Sequence, residues 1–401
     1  MRVVSLAVAT AIGVAGISFA ISGRADDKPI KIAVVADKTG PLEAYAKQMI
    51  SGFSMGLEYA TKGSNAVAGR KIEVIEKDSQ TKPDVGRSVL GEAYTDDGAD
   101  LAVGGTQSGV ALAMLPVAQD AKKVFIVEPA VADSITGDKW NRYIFRTGRN
   151  STQDAVSNAL ALGGAGVSIA VLTPDYAFGH DFVAAFKAAL EPTGAKLVFE
   201  EYAPPTTTDF TAPLQRVLDA LAKEQGKKIL FVNWAGAASP LPAMAALNLD
   251  KLGITVGGGG NIFPVLKAYK AFPGMEGAAY YYYQIPKNAE NDWLVAEHQK
   301  RFNSPPDFFD CGGMSAAIAV VTALEKTKGN TDTETLIKAM EGMDFATPKG
   351  KMEFRKEDHQ ALQSMFGFKL KIDPAVEWAI PELTKELTIA DMKVPVGNIP
   401  K

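Results

Sequence analysis

From Ile30 onward the chain alternates short runs of apolar, often β-branched residues with stretches whose apolar positions recur at helical spacing, and it does so twice. An apolar run of four to eight residues bounded by turn residues reads as a strand buried on both faces. Strands that alternate with helices imply βαβ units around a parallel sheet. In the first set the strands fall at Ile30–Ala36 (IKIAVVA), 71–76, 101–103 and Val124–Val127, with helices over 45–61, 83–96 and 110–121. The second set has strands at 167–172, 196–202, 229–234 and 254–256 and helices near 181–190, 213–224 and 240–247. A strand over 278–285 (AAYYYYQI) follows, then helices near 292–302, 314–328 and 333–341 and strands near 352–354 and 365–372. The expected fold is therefore two α/β lobes with parallel central sheets. No low-complexity linker separates them, so single strands would join the lobes, which suits a hinge.

Composition agrees with two lobes and narrows the function. The 401 residues exceed one ordinary domain, and 47% hydrophobic with 22% charged residues is a globular balance. Forty-two Lys and Arg against 46 Asp and Glu give a net charge of -4, without the positive excess that nucleic acid or an anionic membrane surface demands. One cysteine, Cys311, excludes an intramolecular disulfide, and His180, His298 and His359 share no metal-ligand spacing, so neither metal nor cofactor is expected. At the N-terminus, Met1-Arg2, the apolar run 3–21 and the small residues at Gly23 and Ala25 read as a cleavable secretory leader over 1–25. The alternative is a membrane anchor, but the run is rich in Ala and Gly and only weakly hydrophobic. No cysteine lies near the cleavage site to carry a lipid, and no later stretch is read as a span, so an exported, monomeric, periplasmic protein is expected.

A search for catalytic motifs finds none. There is no G-x-S-x-G elbow, no H-E-x-x-H, and the glycine run 257–260 continues into Asn261-Ile262 without the lysine of a phosphate-binding loop. Binding signals are better placed. The segment 103–109 (VGGTQSG) ends a strand and starts a helix; its glycines permit close backbone approach, Ser108 can cap the helix, and free N–H groups there suit an anion such as a carboxylate. A plain structural cap is the competing reading. Tyr45 after the 39–44 turn, Tyr176 and Phe178 in DYAFG, and Trp234 in NWAG all stand at strand ends, where aromatic faces can enclose a ligand or simply pack.

Taken in order, TGPLEAY (39–45), the GGTQSG turn, Val127-Glu128-Pro129-Ala130, Phe145-Arg146-Thr147 with Asn150-Ser151 and Gln153-Asp154, and PDYAFG (174–179) resemble the periplasmic branched-chain amino acid binding proteins, the type I solute receptors of ABC transporters. The resemblance covers about 30–372. It implies two Rossmann-like lobes joined by a three-strand hinge that close on a small carboxylate and present it to a membrane permease. Its crossovers would be 145–147, 277–285 and the region near 354–364. The first lobe would comprise 28–146 plus 278–356, the second 147–277 plus 357–395. The ligand contacts it implies are Tyr45, Ser108 and the backbone from Ala130 to Ala132 in the first lobe, Phe178 with Tyr176 adjacent, a position beside Trp234, and Phe308 or Phe309. Gln107, Arg149 and Gly258 complete the candidate set; Arg149 can meet a carboxylate or serve structure.

Departures from that pattern bear on ligand class. Ala132 stands where the amino acid receptors usually carry a hydroxyl, and 257–260 is all glycine where they carry an acid, so the groups that hold a ligand's ammonium are missing while the anion-binding turn remains. The family's usual first-lobe disulfide is absent too. An aromatic acid of the benzoate or hydroxycinnamate kind is thus expected ahead of leucine or valine. An amino acid receptor, an exported enzyme on the same scaffold and a ligand sensor are the alternatives. Of the remaining residues, the tyrosines at 280–283 are expected to face alternately from a crossover strand, Cys311 to be buried, and His359 to lie at the surface.

Overall fold

The computed structural model describes residues 28–236 and 238–399; the leader expected over 1–25 lies outside them. The first sheet is built from β1 (Ile30–Ala36), helix α1 (Glu43–Ala60), β2 (Ala66–Val67), β3 (Arg70–Asp78), α2 (Pro83–Thr95), β4 (Leu101–Gly104), α3 (Ser108–Ala121), β5 (Val124–Val127) and β6 (Ile144–Arg146). Its strand order is β2-β3-β1-β4-β5-β6, parallel except for β2. Successive residues of β1 enter different cores: Ile32 and Val34 join Phe53 of α1, whereas Ala33 and Val35 join Leu90 of α2 and Met114 of α3. A strand covered by helices on both faces has no polar side, which is why IKIAVVA is apolar almost throughout.

A second sheet follows the same logic. Helix α4 (Ser151–Leu162) leads to β7 (Val167–Pro174), α5 (Ala177–Leu190), β8 (Lys196–Ala203), α6 (Thr211–Leu221), β9 (Lys227–Val232), α7 (Leu241–Ala246), β10 (Ile254–Gly258), α8 (Phe263–Ala268) and β11 (Glu276–Ala279). The chain then returns to the first sheet with α9 (Ala289–Phe302), α10 (Phe308–Lys326), α11 (Thr333–Met340) and a small antiparallel sheet of β12 (Asp344–Thr347), β13 (Gly350–Phe354) and β14 (Ala361–Leu362). It ends in β15 (Met365–Lys371), β16 (Ile380–Leu387) and α12 (Ile389–Met392). The second sheet runs β16-β15-β11-β10-β9-β7-β8, with β7 to β11 parallel and the last two strands antiparallel. Ile169 and Val171 of β7 meet Phe182 and Phe186 of α5, while Ala170 and Leu172 meet Leu214 of α6.

Several expectations are corrected. The strand read over 278–285 stops at Ala279, and the tyrosines after it leave in different directions: Tyr281 Oη donates to Asn291 (2.7 Å), Tyr282 Oη accepts from the Trp378 indole (3.1 Å), and Tyr280 lies under Lys349. Helix α4 was not anticipated as an element, because it buries Gln153, Ser157 and Asn158 along with its apolar residues and so shows little apolar periodicity. His359 is buried, not superficial; its ring stacks on Phe145 at 3.9 Å and its Nδ1 meets the Ile144 carbonyl at 2.9 Å. Gln360 bridges to Arg146 and Ala361 pairs with Phe354, so 357–362 sits beside first-sheet elements. Helix α10 is also long and apolar enough to cross a membrane, contrary to the sequence reading, yet 89% of that window is buried inside the protein.

That burial comes from the contact of α10 with α1. A Cβ on Gly313 would overlap the Met49 carbonyl oxygen, and one on Gly52 would overlap that of Asp310, so the two helix backbones touch. Backbone cannot step aside as a side chain can. Gly313→Val should therefore lower the unfolding free energy by roughly 3 kcal/mol, read as a lower urea midpoint; an unchanged midpoint would show that the helices can separate freely.

The candidate ligand cleft

Parallel strands send all their following loops to one edge, and in an open α/β sheet that edge is where ligands bind. Here the loops after β1, β4 and β5 of one sheet and after β7, β9 and β10 of the other line a shared cavity of about 310 Å³. Seven of the ten candidate residues, Tyr45, Ser108, Ala130, Arg149, Tyr176, Phe178 and Trp234, are brought together on its walls. Gln107, Ala132 and Gly258 are not. Gln107 is the residue that caps α3, its side-chain oxygen accepting from the Val110 N–H at 2.9 Å, which takes the role expected of Ser108. Ala132 is fully buried behind the wall, and Gly258 still belongs to β10, so the cavity meets Gly259 and Gly260 instead.

Freed from capping, Ser108 has a different environment. Its Oγ accepts from the Ala132 N–H at 3.3 Å, and among the described residues no acceptor takes its own proton, which leaves that proton for an acceptor in the cavity. Aromatic faces surround it: Tyr45 packs on Phe309 with ring centroids 4.6 Å apart, and Tyr176 packs on Phe178 at 5.8 Å. Trp234 is fixed by its indole N–H, which donates to the Ala238 carbonyl at 2.6 Å, and by Phe210 at 5.0 Å. Phe308 and Phe309 both line the cavity.

The charged element of the cavity is an ion pair. Arg149 Nε donates to Asp154 Oδ1 at 2.9 Å, with the two side chains only 13% and 16% exposed. The guanidinium lies 5.4 Å from the Tyr280 ring centre and 5.2 Å from that of Phe308. Among the described residues no hydrogen bond engages either Nη. Burial pushes the Asp154 carboxyl up from its ordinary range, and Arg149 opposes that shift. Asp154, Asn158, Asn233 and Tyr269 are lining residues that the sequence did not single out as contacts. For Asp154 the signal existed in the Asn150/Gln153 capping box, which starts α4 and sets its first turn against the cavity.

Behind the cavity, Glu128 at the end of β5 is buried and accepts from Thr147 Oγ1 at 3.1 Å. Loss of water pushes its carboxyl up to about 7, and by the same cause the neighbouring buried Lys349 ammonium falls to about 7. Lys349 donates to Gln363 at 2.6 Å and sits 3.8 Å from the Tyr280 ring centre. Among the described residues no group of three or more His, Cys, Asp or Glu could hold a metal ion.

The raised Glu128 value fixes the sign of a stability effect. The folded chain keeps this proton up to about pH 7, the unfolded chain only to about 4.5, so the stabilisation present at low pH is lost as pH rises between them. Glu128→Gln does not titrate. Its stability relative to wild type should therefore rise between pH 5 and pH 8, by up to about 3 kcal/mol, in urea unfolding at both pH values. A constant difference would show that Glu128 ionises normally.

With this geometry in view, the relatives are informative. The periplasmic binding protein family model matches residues 29–374. A solved structure from Rhodopseudomonas palustris CGA009, described as an ABC-type branched-chain amino acid transporter, is 64% identical, with a TM-score of 0.83 over 92% of this chain and 100% of the other. A solute binding protein from R. palustris BisB5, solved with 3,4-dihydroxybenzoic acid, is 29% identical, with a TM-score of 0.79 over 91% and 98% of the two chains. The leucine-, isoleucine-, valine-, threonine- and alanine-binding protein of Pseudomonas aeruginosa is 27% identical over 81% of this chain and 85% of its own. Two mostly parallel sheets facing one cavity, with a family match across nearly all the described residues, place this chain in the periplasmic binding protein family, among the solute-binding proteins of ABC transporters.

Proposed function

We propose that the cleft captures a small organic carboxylate, an aromatic acid of the benzoate or hydroxycinnamate type, by closure of two lobes in the periplasm, and that the closed form delivers it to an ABC permease. The observation that carries this reading is the make-up of the cavity: a Ser108 hydroxyl with a proton to give and an Arg149 guanidinium with unengaged Nη groups, set among Tyr45, Tyr176, Phe178, Trp234, Phe308 and Phe309. A carboxylate answers the polar groups and a flat ring answers the walls. The 29% identical neighbour that holds 3,4-dihydroxybenzoic acid supports the same class. No catalytic motif is present in the sequence, and the family consists of binding proteins, so recovery of ligand unchanged after long incubation is the expected result.

Asp154 favours a second reading. It puts a carboxylate into a cavity that the sequence had suggested was without one, and a ligand ammonium could compete with Arg149 for it. The 64% identical neighbour is described as a branched-chain amino acid transporter, which points the same way. Against this, Arg149 already neutralises Asp154, and an ammonium would have to break that pair.

A ligand panel separates the two. At 100 times its dissociation constant a true ligand stabilises the fold by about 2.7 kcal/mol, a clear melting shift. The expected shift comes with benzoate, 4-hydroxybenzoate or coumarate; a shift with leucine, isoleucine or valine and none with an aromatic acid would establish the second reading. Ser108→Ala should weaken carboxylate binding by roughly 1–3 kcal/mol, measured by calorimetry, and unchanged affinity would restrict Ser108 to a structural role. Saturating ligand should also reduce the radius of gyration in small-angle scattering.

A further inference from the structure

Two carboxylates reach across from one lobe to the other away from the crossovers. Asp307, the residue that caps α10, accepts from the Phe263 N–H of α8 through both oxygens, at 3.0 and 2.9 Å. On its own side it accepts from the Phe308 N–H and from Gln48 of α1, each at 2.8 Å. Asp181 of α5 reaches the opposite way, accepting from both the N–H and the hydroxyl of Ser134 at 3.2 Å. Helices α5 and α8 flank the second sheet, while α1, α10 and the 133–135 turn belong with the first. Each carboxylate is also rigidly tied to a cavity wall. Phe308 and Phe309 directly follow Asp307, and Phe178 stands one helical turn before Asp181.

We propose that Asp307 and Asp181 are positioning residues, a reciprocal pair of latches that hold the lobes together both in the fraction of molecules that close without ligand and in the closed form that a ligand filling the cavity makes dominant. A ligand pressing on Phe308, Phe309 and Phe178 fixes the first turns of α10 and α5, and with them the carboxylates that cross the cleft. The proposal rests on the clamp reading given above. Asp307 is poised rather than permanently locked: burial costs its charge enough water that its carboxyl is pushed up to about 7, so the hydrogen bonds gained on closure are offset by desolvation. In the separated state the donors of Phe263 and Ser134 would bond to water, as would Asp181, while Asp307 would keep its bonds to Phe308 and Gln48 and regain water on the side that faced Phe263. Neither carboxylate lines the cavity itself, so their effect on a ligand would be indirect.

Asp307→Asn and Asp181→Asn keep a side chain that can cap or accept one hydrogen bond while removing the charge. The double variant is compared with wild type in two ways. Small-angle scattering without ligand should show a larger radius of gyration, because the latches no longer hold any closed population. Stopped-flow with 4-hydroxybenzoate and with leucine should show, for whichever binds, a dissociation rate at least fivefold faster and an association rate within twofold of wild type. A melting temperature within a few degrees of wild type for the unliganded variant separates this from damage to the fold. The same radius as wild type without ligand, or an unchanged dissociation rate, overturns the latch. Failure of both probes to bind wild type would overturn the ligand class instead, and the ligand-free radius would still decide the latch.

Discussion

A buried guanidinium sets the frame for everything else. Arg146 ends β6 where the chain leaves the first sheet, and it is fully buried. Stripping water from a cation is costly, and the cost is bearable only if its donors are met by nearby oxygens. Arg146 meets this with the Ala132 carbonyl and the Gln360 side chain, both at 2.6 Å, and with the Thr136 hydroxyl. It stays charged, although burial lowers it to about 10, and Asp133 is the leading charge that counters that fall. Residues about 214 positions apart in sequence, Arg146 and Gln360, are thereby fixed to each other. So is the loop from Pro129 to Ala132, part of which forms the cleft wall. Asn158 performs a smaller version of the same task, accepting from the Ala278 N–H at 2.8 Å and donating to the Asp154 carbonyl, which ties the first turns of α4 to β11.

Much of the fold was legible because burial on both faces of a parallel strand leaves a plain mark in sequence. Ile30–Ala36 and Val124–Val127 were located to the residue. The apolar helices α1, α2 and α11 were found within two residues at each end. What failed were segments whose partners are not local. The tyrosines at 280–283 have strand-like composition, but Tyr280, Tyr281 and Tyr282 each have a separate partner, Lys349, Asn291 and Trp378, and among the described residues the strand pairing stops at Ala279. His359 sits among charged neighbours in sequence, and only the return of the chain to β6 buries it.

The cleft was legible in a different sense. Strand ends can be read from sequence, so the residues just beyond them could be nominated, and Tyr45, Ser108, Tyr176, Phe178 and Trp234 converge for that reason. The nomination says nothing about which atom of a turn faces inward, which is why Gln107 and Ser108 exchanged roles and why the cavity meets Gly259 rather than Gly258. Asp154 shows the limit most clearly. Its charge is visible in the sequence, but its pairing with Arg149 inside the cavity depends on where α4 starts.

The close packing of α1 on α10 also governs how the chain can be made. Asp310 and Gly313 press on Gly52 and Met49 from more than 250 positions away, and residues of α10 supply much of the core beneath the first sheet. The N-terminal strands therefore cannot complete their lobe until the last third of the chain has been synthesised, and contacts of such long range make folding slow. The first lobe closes its core only when the far end of the chain has arrived, so truncations before α10 would leave α1 and the strands it covers without their main apolar partner.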